Sequence, residues 1–553
     1  MARMTRAHIA ALRKRLAGPL DGSEPLTEIG DTLPASPSAI AELHDLYLFV
    51  LAFPRSVAEH RIATDGLQRL ALAIEERART SERHYHGLYN SGIAGTTACA
   101  HFGVDLVRWL LTRTDVQVAF DSSAGDGELV RSFLATTASP GEREAAEDPR
   151  MDAAALLERL APEAPLRYLV EQVDSTSEDP GMRNLLWTML TPYIVVDGNE
   201  GQLSRTFARG PVPSIVPWSQ GLRRSVDVAA IIDTPLPRAM RLTPASRNQL
   251  VAASRGALLG HLRETDTITY TDEGLIELFD MGQGVHMMLA PLPFKHRTTY
   301  DAYVGSVIFS HGVPIAYGGA WLFPGKTKVG INVFPAFRGG PSLFLFAQML
   351  RCYAQRYRVG RFEADNYQLG HGNADGIRSG AYWFYHRAGF RTSSTELRAV
   401  EAAEVSMIQE RPRYRTPPSV LRKLVAEPMV LERDGMYAHD IEPIDLGALV
   451  LAHVSAHASK QPRAQACTKL VMDAIGIMDL KRWNDDERAA LELLAPSFCL
   501  IEDLARWSRR EKNALIDIVR AKAERTEDRY IERLAAHDRL LRSWQRSLHD
   551  IDT

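Results

Sequence analysis

The chain has 553 residues, with 65 Lys and Arg against 68 Asp and Glu, a formal net charge of -3, and 45% hydrophobic and 24% charged residues. Those proportions exclude disordered, collagenous and low-complexity classes, and at roughly 100–200 residues per domain the length predicts about three domains. A balanced charge also excludes a global field for nucleic acid or an anionic membrane, so neither is an expected partner.

Of the 65 basic residues only 10 are Lys, leaving 55 Arg, the residue whose planar fork grips carboxylate and phosphate. The cysteines Cys99, Cys352, Cys467 and Cys499 are scattered, with no CxxC pair, which favours a reducing compartment over a zinc or disulfide framework. The basic start lacks the apolar stretch of a secretory leader. The run from Leu46 to Phe53 falls short of the ~20 residues that a membrane-spanning helix needs. A cytoplasmic location is therefore expected.

In chain order, helical spacing first links Ile9, Leu12 and Leu16, then Ile40, Leu43, Leu46 and Val50, then Leu67, Leu70, Leu72 and Ile74. Ser36 before Pro37 reads as an N-cap and first helical turn. The small-residue loop Ser91–Thr97 is expected to enter a helix reaching Leu111. It is either a close-packed joint or an anion site on free N–H groups. Val116 to Phe120 reads as a strand ending in a Gly125-Asp126-Gly127 turn, after which helices resume to about Met189. Prolines clustered up to Pro237 place a boundary there.

From about 265 to 395 the pattern turns to alternating and aromatic segments. Strands are predicted at Tyr303–Ser310, Ile315–Phe323 and Lys328–Phe334, joined by short turns into an antiparallel meander. An apolar helix follows from Leu343 to Tyr357, then a strand Phe362–Tyr367 and a helix from about Asp375 to Ala388 that stops at Gly389. The last ~155 residues read as helical again. A near-heptad seam from Ile516 through Val519, Tyr530, Leu534, Leu541 and Trp544 to Ile551 predicts one long helix, packed on its own chain or forming a homodimer. The expected fold is α+β and predominantly helical, with a mostly helical region 1–236, a central mixed-sheet domain 237–397 and a helical region 398–553.

The chemistry is concentrated between Asn332 and Phe390. The strand ending at Phe334 runs into Pro335-Ala336-Phe337-Arg338-Gly339-Gly340-Pro341-Ser342 and then a helix. Paired glycines let a ligand approach the backbone, and free N–H groups at a helix start favour phosphate. Arg338 adds a forked donor. Downstream, Tyr385-His386-Arg387-Ala388-Gly389-Phe390 closes a helix as YxxxGF, with Asn373 on the loop side.

With its order of meander, loop, helix, strand, helix and YxxxGF, this quarter of the chain resembles the GNAT superfamily of acyl-CoA-dependent N-acyltransferases. The phosphate loop departs from the family's Arg/Gln-x-x-Gly-x-Gly/Ala: with Gly340 on the first motif glycine, Phe337 takes the Arg/Gln place, Ser342 the last, and Arg338 stands one position off. The resemblance implies acetyl-CoA or another acyl-CoA as donor, held by Val333, Phe334, Arg338, Gly339, Gly340, Pro341, Ser342 and Asn373. It implies two parallel strands, Lys328–Phe334 and Phe362–Tyr367, that splay around the pantetheine, with a freed backbone N–H near Asn332 or Val333 polarising the thioester. It implies Tyr385 as the acid that protonates the departing thiolate, a role suited to a phenol of pKa about 10. The acceptor would be an amine on a small molecule or peptide. Its base is left open among Glu363, Asp365, Glu277, Asp280 and His286.

No metal is expected: His84, His86 and His101 cluster without a completing cysteine or carboxylate. Tyr382, Trp383 and Phe384 read as core or pocket wall, and Cys352 as inert core. Two further readings share this pattern, an aminoacyl-tRNA-dependent transferase of related fold and a non-catalytic GNAT-like scaffold.

Overall fold

A computed structural model describes residues 4–22, 25–29, 33–80, 86–121, 125, 127–146, 148, 150–197, 203–211, 214–433, 441–457 and 463–549. Helix predominates around a mixed sheet of eight strands, with a smaller three-stranded sheet beside it. The α+β class with a central sheet between helical regions holds. His84, Asp126 and Ile551 lie outside the described residues.

The small sheet consists of β1 (Ala98–Ala100), β2 (Gln117–Asp121) and β3 (Tyr193–Asp197), in the order β1-β3-β2, all antiparallel. With the helices between residues 104 and 190 it buries its own core around Leu134, Leu169, Trp187 and Ile194. The loop Ser91–Thr97 thus enters a strand, not the expected helix, which starts only at Val104. Backbone pairing with β3 supplies what the small residues 98–100 lack in propensity. A side chain at Gly92 would strike the backbone of Gly260, at 2.6 Å from its Cα, so this loop is a close-packed joint.

The large sheet takes β4 (Glu277–Asp280), β5 (Val285–Pro291), β6 (Ala302–Ser310), β7 (Val313–Phe323), β8 (Lys326–Val333), β9 (Arg361–Ala364), β10 (Arg391–Thr392) and β11 (Met429–Glu432). Its order is β10-β11-β9-β8-β7-β6-β5-β4. From β4 to β8 it is the expected antiparallel meander, extended by one hairpin upstream. β8 and β9 are parallel, as a helical crossover requires, and the Ser342–Arg356 helix supplies that crossover. β11 comes from the segment expected to be purely helical and slots between β9 and β10.

Of the N-terminal helices, Pro37–Ala52 packs on this sheet with Arg6–Leu16 and Val57–Thr80 against it, and they share one continuous core with the sheet and the C-terminal helices. Thr5 and Ser36 cap the first two, each side chain accepting from the third residue onward. Leu67, Leu70 and Ile74 are buried as the spacing predicts, but Leu72 faces solvent.

The long C-terminal helix is not formed. Three helices replace it, Arg509–Ala523, Asp528–Ala535 and Asp538–His549, and they fold back on one another. The breaks spend the seam internally: Val519, Tyr530, Leu534, Leu541 and Trp544 are all buried within the chain. A dimer through that seam would have to remove them from a core they already complete. The link to the sheet is polar and buried. Lys522 Nζ donates to Glu527 Oε1 (2.6 Å) and to the Asp301 carbonyl (3.0 Å), and Tyr530 Oη donates to the Tyr300 carbonyl (2.8 Å).

Candidate active site

The centre of the large sheet is where β8 and β9 part. Their parallel pairing covers only Lys326–Lys328 against Arg361–Glu363. Beyond it, ladder parity fixes which backbone groups are free. Phe334 N–H donates to the Ile315 carbonyl (3.0 Å), so by alternation Asn332 and Gly330 also exchange hydrogen bonds with β7. The N–H and C=O groups of Val333 and Ile331 point the other way, into the gap. The expected free N–H at Asn332 is therefore committed to β7, whereas that at Val333 faces the gap. Ile331, not foreseen, faces it too. The Val333 carbonyl is taken by Arg338 Nε (3.3 Å).

Tyr385 stands over this gap. The Ala381–Arg387 helix carries it, and its ring packs edge-on against Phe346 and Phe390. Its hydroxyl is fully buried beside the Ile331 amide and closes no hydrogen bond with it or with any other described group. Burial raises its pKa above that of an ordinary phenol, with the Ile331 amide pulling weakly back, so it holds its proton. The predicted single helix 375–388 is two, Ala374–Ser379 and Ala381–Arg387. Gly380 (φ +66°) divides them in the left-handed region that glycine occupies without strain. Of the neighbouring aromatics, Tyr382 is core, with Oη on Glu401 (2.5 Å), and Trp383 Nε1 reaches Thr416 (3.0 Å).

The loop after β8 is a single turn, Pro335–Phe337, followed by Arg338 and Gly339 on the surface and by buried Gly340 and Pro341. Gly339 (φ +80°) makes the reversal and leaves open space where a side chain would stand. Gly340 is hemmed in: a Cβ there would lie 3.1 Å from the ring of Phe53. Arg13 braces the loop from the first helix, its Nη2 donating to the carbonyls of Ala336 (2.6 Å) and Arg338 (2.9 Å). Pro341 opens the Ser342–Arg356 helix with no side-chain cap, leaving its first N–H groups uncapped. Asn373 is itself an N-cap, accepting from Gly376 N (3.1 Å), and its amide donates to the Tyr367 carbonyl (3.3 Å). Asp375 beside it is held below the usual carboxylate range, chiefly by its hydrogen bond to Arg378, with the charges of Arg338 and Arg263 adding to it. Arg378, paired with Asp375, is thus joined by Arg338 and Arg263 as cations acting on that carboxylate. The side chain of Phe334 is buried and stacks on His261 (4.3 Å), whose pKa burial depresses to about 2.

On the sheet face opposite the Ser342–Arg356 helix, a cavity of about 470 Å³ opens where the two strands separate. The facing is set by the glycines. A Cβ on Gly318 would point at Met349 of that helix, whereas one on Gly319 would meet Tyr303 at 2.6 Å. Gly319 pairs with Gly330, Trp321 with Lys328, and Lys328 with Glu363, so these residues share the cavity's face. Trp321 stacks flat on Tyr303 (4.2 Å), and the Gln368 carboxamide lies on Gly330. Lys326 and Lys328 both pair with Glu442, which precedes the Pro443–His457 helix.

Glu363 lies in this cavity, 3.9 Å from Lys328 Nζ, and burial raises its pKa against the pull of Lys328. Asp365 lines the same cavity but sits one residue past β9, which is shorter than predicted; its carboxylate caps the Asn366–Leu369 turn by accepting Tyr367 N–H (2.8 Å). The other candidate bases are elsewhere. Glu277 and Asp280 lie on β4 and His286 on β5. β4 is four strands from β8, roughly 19 Å at the usual strand spacing. Glu277 there is engaged by Arg356 Nε (3.0 Å), and Asp280 by Gly282 N–H (2.8 Å).

Ile331, Gln368, Lys328 and the Tyr303–Trp321 stack were not foreseen. Gly318, Gly319 and Gly330 inside predicted strands were the available signal, since glycine in a strand marks close approach. Among the described residues no group of three or more His, Cys, Asp or Glu is placed to hold a metal, and no helix is long and apolar enough to cross a membrane. Compared with protein-family descriptions, characterised proteins and solved structures, the chain matches none.

Proposed function

We propose that the gap between β8 and β9 takes an acyl-CoA thioester and that the protein transfers its acyl group directly to an amine, in the manner of the GNAT enzymes it resembles. The observation that carries this reading is the Tyr385 hydroxyl, fully buried and without a partner, at the point where the strands part and beside the Ile331 amide. A buried hydroxyl left unpaired costs ~1–3 kcal/mol, a cost that a ligand with an acceptor atom at this place removes.

The surrounding groups suit the donor. The edge of Ile331 and the N–H of Val333 offer the backbone pairing that an extended pantetheine amide can use. The uncapped helix start at Ser342, with exposed Arg338 on the loop that leads into it, suits phosphates. Asn373 acts on this region through the backbone it caps. In the reaction the Ile331 amide stabilises charge developing on the thioester oxygen. Tyr385 gives a proton to the leaving sulfur. One preorganised donor of the first kind is worth ~3–4 kcal/mol of barrier.

The test is calorimetric titration of acetyl-CoA and of CoA into the full chain, with Tyr385→Phe and Gly339→Glu beside the wild type. Saturable binding that Gly339→Glu weakens at least tenfold is expected. No heat from either nucleotide at millimolar concentration overturns the reading.

A further inference from the structure

The cavity opposite the crossover helix differs from the gap in its chemistry. Its mouth exposes the faces of Trp321 (41% exposed), Tyr367 (58%) and Ile444 (76%), three large apolar side chains around a polar floor. Its charges do not balance locally. Both lysines are committed to Glu442, and Arg361 faces Glu432 on β11 (3.7 Å). Glu363 has only a share of Lys328, and neither Asp365 nor Asp301 has a cation within ion-pair distance among the described residues. The surplus is anionic and lies next to a flat aromatic wall. Gly330 and Gly319 leave the floor low at the strand gap, with only the Gln368 carboxamide across it.

We propose that this cavity is the acceptor subsite and takes a primary amine carrying a flat apolar group, the ammonium against Glu363 and the apolar body on Trp321. The inference rests on the acyl-CoA reading for the reaction but not for binding. Donor and acceptor then meet through the gap from opposite faces of the sheet, because Tyr385 packs with Phe346 of the crossover helix and Glu363 faces away from it. Glu363 takes one proton from the ammonium. The freed nitrogen forms the C–N bond to the thioester carbonyl carbon as the C–S bond breaks. The sulfur leaves with the Tyr385 proton, the new amide nitrogen gives up its second proton to restore the Tyr385 phenol, and the Glu363 proton passes to water. Glu363 is surrounded by Lys328, Lys326 and Arg361, which favour its charged form, and by Glu442, which opposes it. Its burial outweighs the cations and lifts its affinity for a proton, as a base toward an ammonium needs.

The probes are phenethylamine, 2-phenylethanol, which lacks the ammonium, and ethylamine, which lacks the ring, each titrated calorimetrically into the full chain with and without acetyl-CoA. Phenethylamine is expected to bind at least tenfold more tightly than either control, and Trp321→Leu and Tyr367→Ala each to weaken it at least fivefold. Tyr367 is exposed enough that its replacement leaves the fold intact if the Trp321 variant does not fold. Equal affinity for 2-phenylethanol, or no saturable heat with phenethylamine, overturns the proposal. If acetyl-CoA binds and phenethylamine does not, the acceptor assignment fails and the donor reading stands. If phenethylamine binds and acetyl-CoA does not, the amine site stands, while the donor reading and with it the role of acceptor fail.

Discussion

At Tyr385 stability is set against the proposed activity. Removing a buried hydroxyl that has no partner relieves a desolvation cost, so Tyr385→Phe is expected to keep or raise the melting temperature. Acyl transfer should fall roughly 10²–10⁴-fold, the usual contribution of a positioned acid, with acetyl-CoA affinity little changed. Thermal denaturation beside steady-state kinetics checks both; a melting temperature several degrees lower would show that the hydroxyl had a partner after all. A second residue, like the depressed His261, weakens the fold in acid. His44 is fully buried, its Nε2 on Thr206 Oγ1 (3.0 Å), and burial pushes its pKa down to about 4. The unfolded chain therefore binds this proton first as pH falls below about 6.5, so stability is full above that value and declines toward pH 4. For this one group the loss is about 3 kcal/mol by pH 4. Urea unfolding at pH 7 and pH 4.5 should show the loss, and His44→Gln should reduce it, the depressed His261 and His60 supplying the remainder.

At the scale of the element, the parting of β8 from β9 depends on what each strand is obliged to pair with. β8 is held on one side by β7 along its whole length, and β9 is held by β11 through Arg361–Ala364. Each strand is anchored by its outer neighbour, so the two can diverge after Lys328 without losing their place in the sheet. Gly330 lies at that divergence, under Gln368. A Cβ there would stand 2.8 Å from the Gln368 carboxamide carbon, so Gly330→Ala must push the side chain out of the gap. Because only the end of that flexible side chain must move, the expected cost is at most ~1 kcal/mol, most of it recovered in the double variant with Gln368→Ala. Chemical denaturation of the four proteins of this cycle measures the coupling. Additive losses would mean that Gln368 does not fill the space above Gly330.

At the scale of the whole molecule, the C-terminal helices grip the sheet through a buried ion pair. Lys522 and Glu527 are both fully buried, and Arg297 stands 3.8 Å from the same carboxylate. Lys522→Met leaves Glu527 with half its compensation and removes the bond to the Asp301 carbonyl, beside the proposed acceptor cavity. Loss of one partner of a buried pair costs roughly 3–5 kcal/mol. Unfolding midpoints should show that loss, and Glu527→Gln, which leaves both Lys522 and Arg297 without a carboxylate, should lose at least as much.

Much of the local structure was legible in the chain alone. Period-two alternation and tight turns located β6, β7 and β8, and the apolar run after Ser342 located the crossover helix, because each is decided by neighbours a few residues away. The YxxxGF stretch and the Gly339-Gly340 loop come to the same strand gap, the one through Tyr385 beside Ile331 and the other directly after β8. Local pattern misled where a distant partner overrode it. Ala98–Ala100 became a strand through β3, Met429–Glu432 crossed from a helical region into the sheet, and the regular C-terminal seam broke into three helices that cover one another. The site depended most on such partners. Whether Asn332 or Ile331 offers its amide is decided by the register against β7, and whether Glu277 or Glu363 stands near the gap is decided by strand order. Side-chain types and spacing are properties of the chain, but parity, strand order and the unsatisfied Tyr385 hydroxyl exist only once segments far apart in sequence are paired.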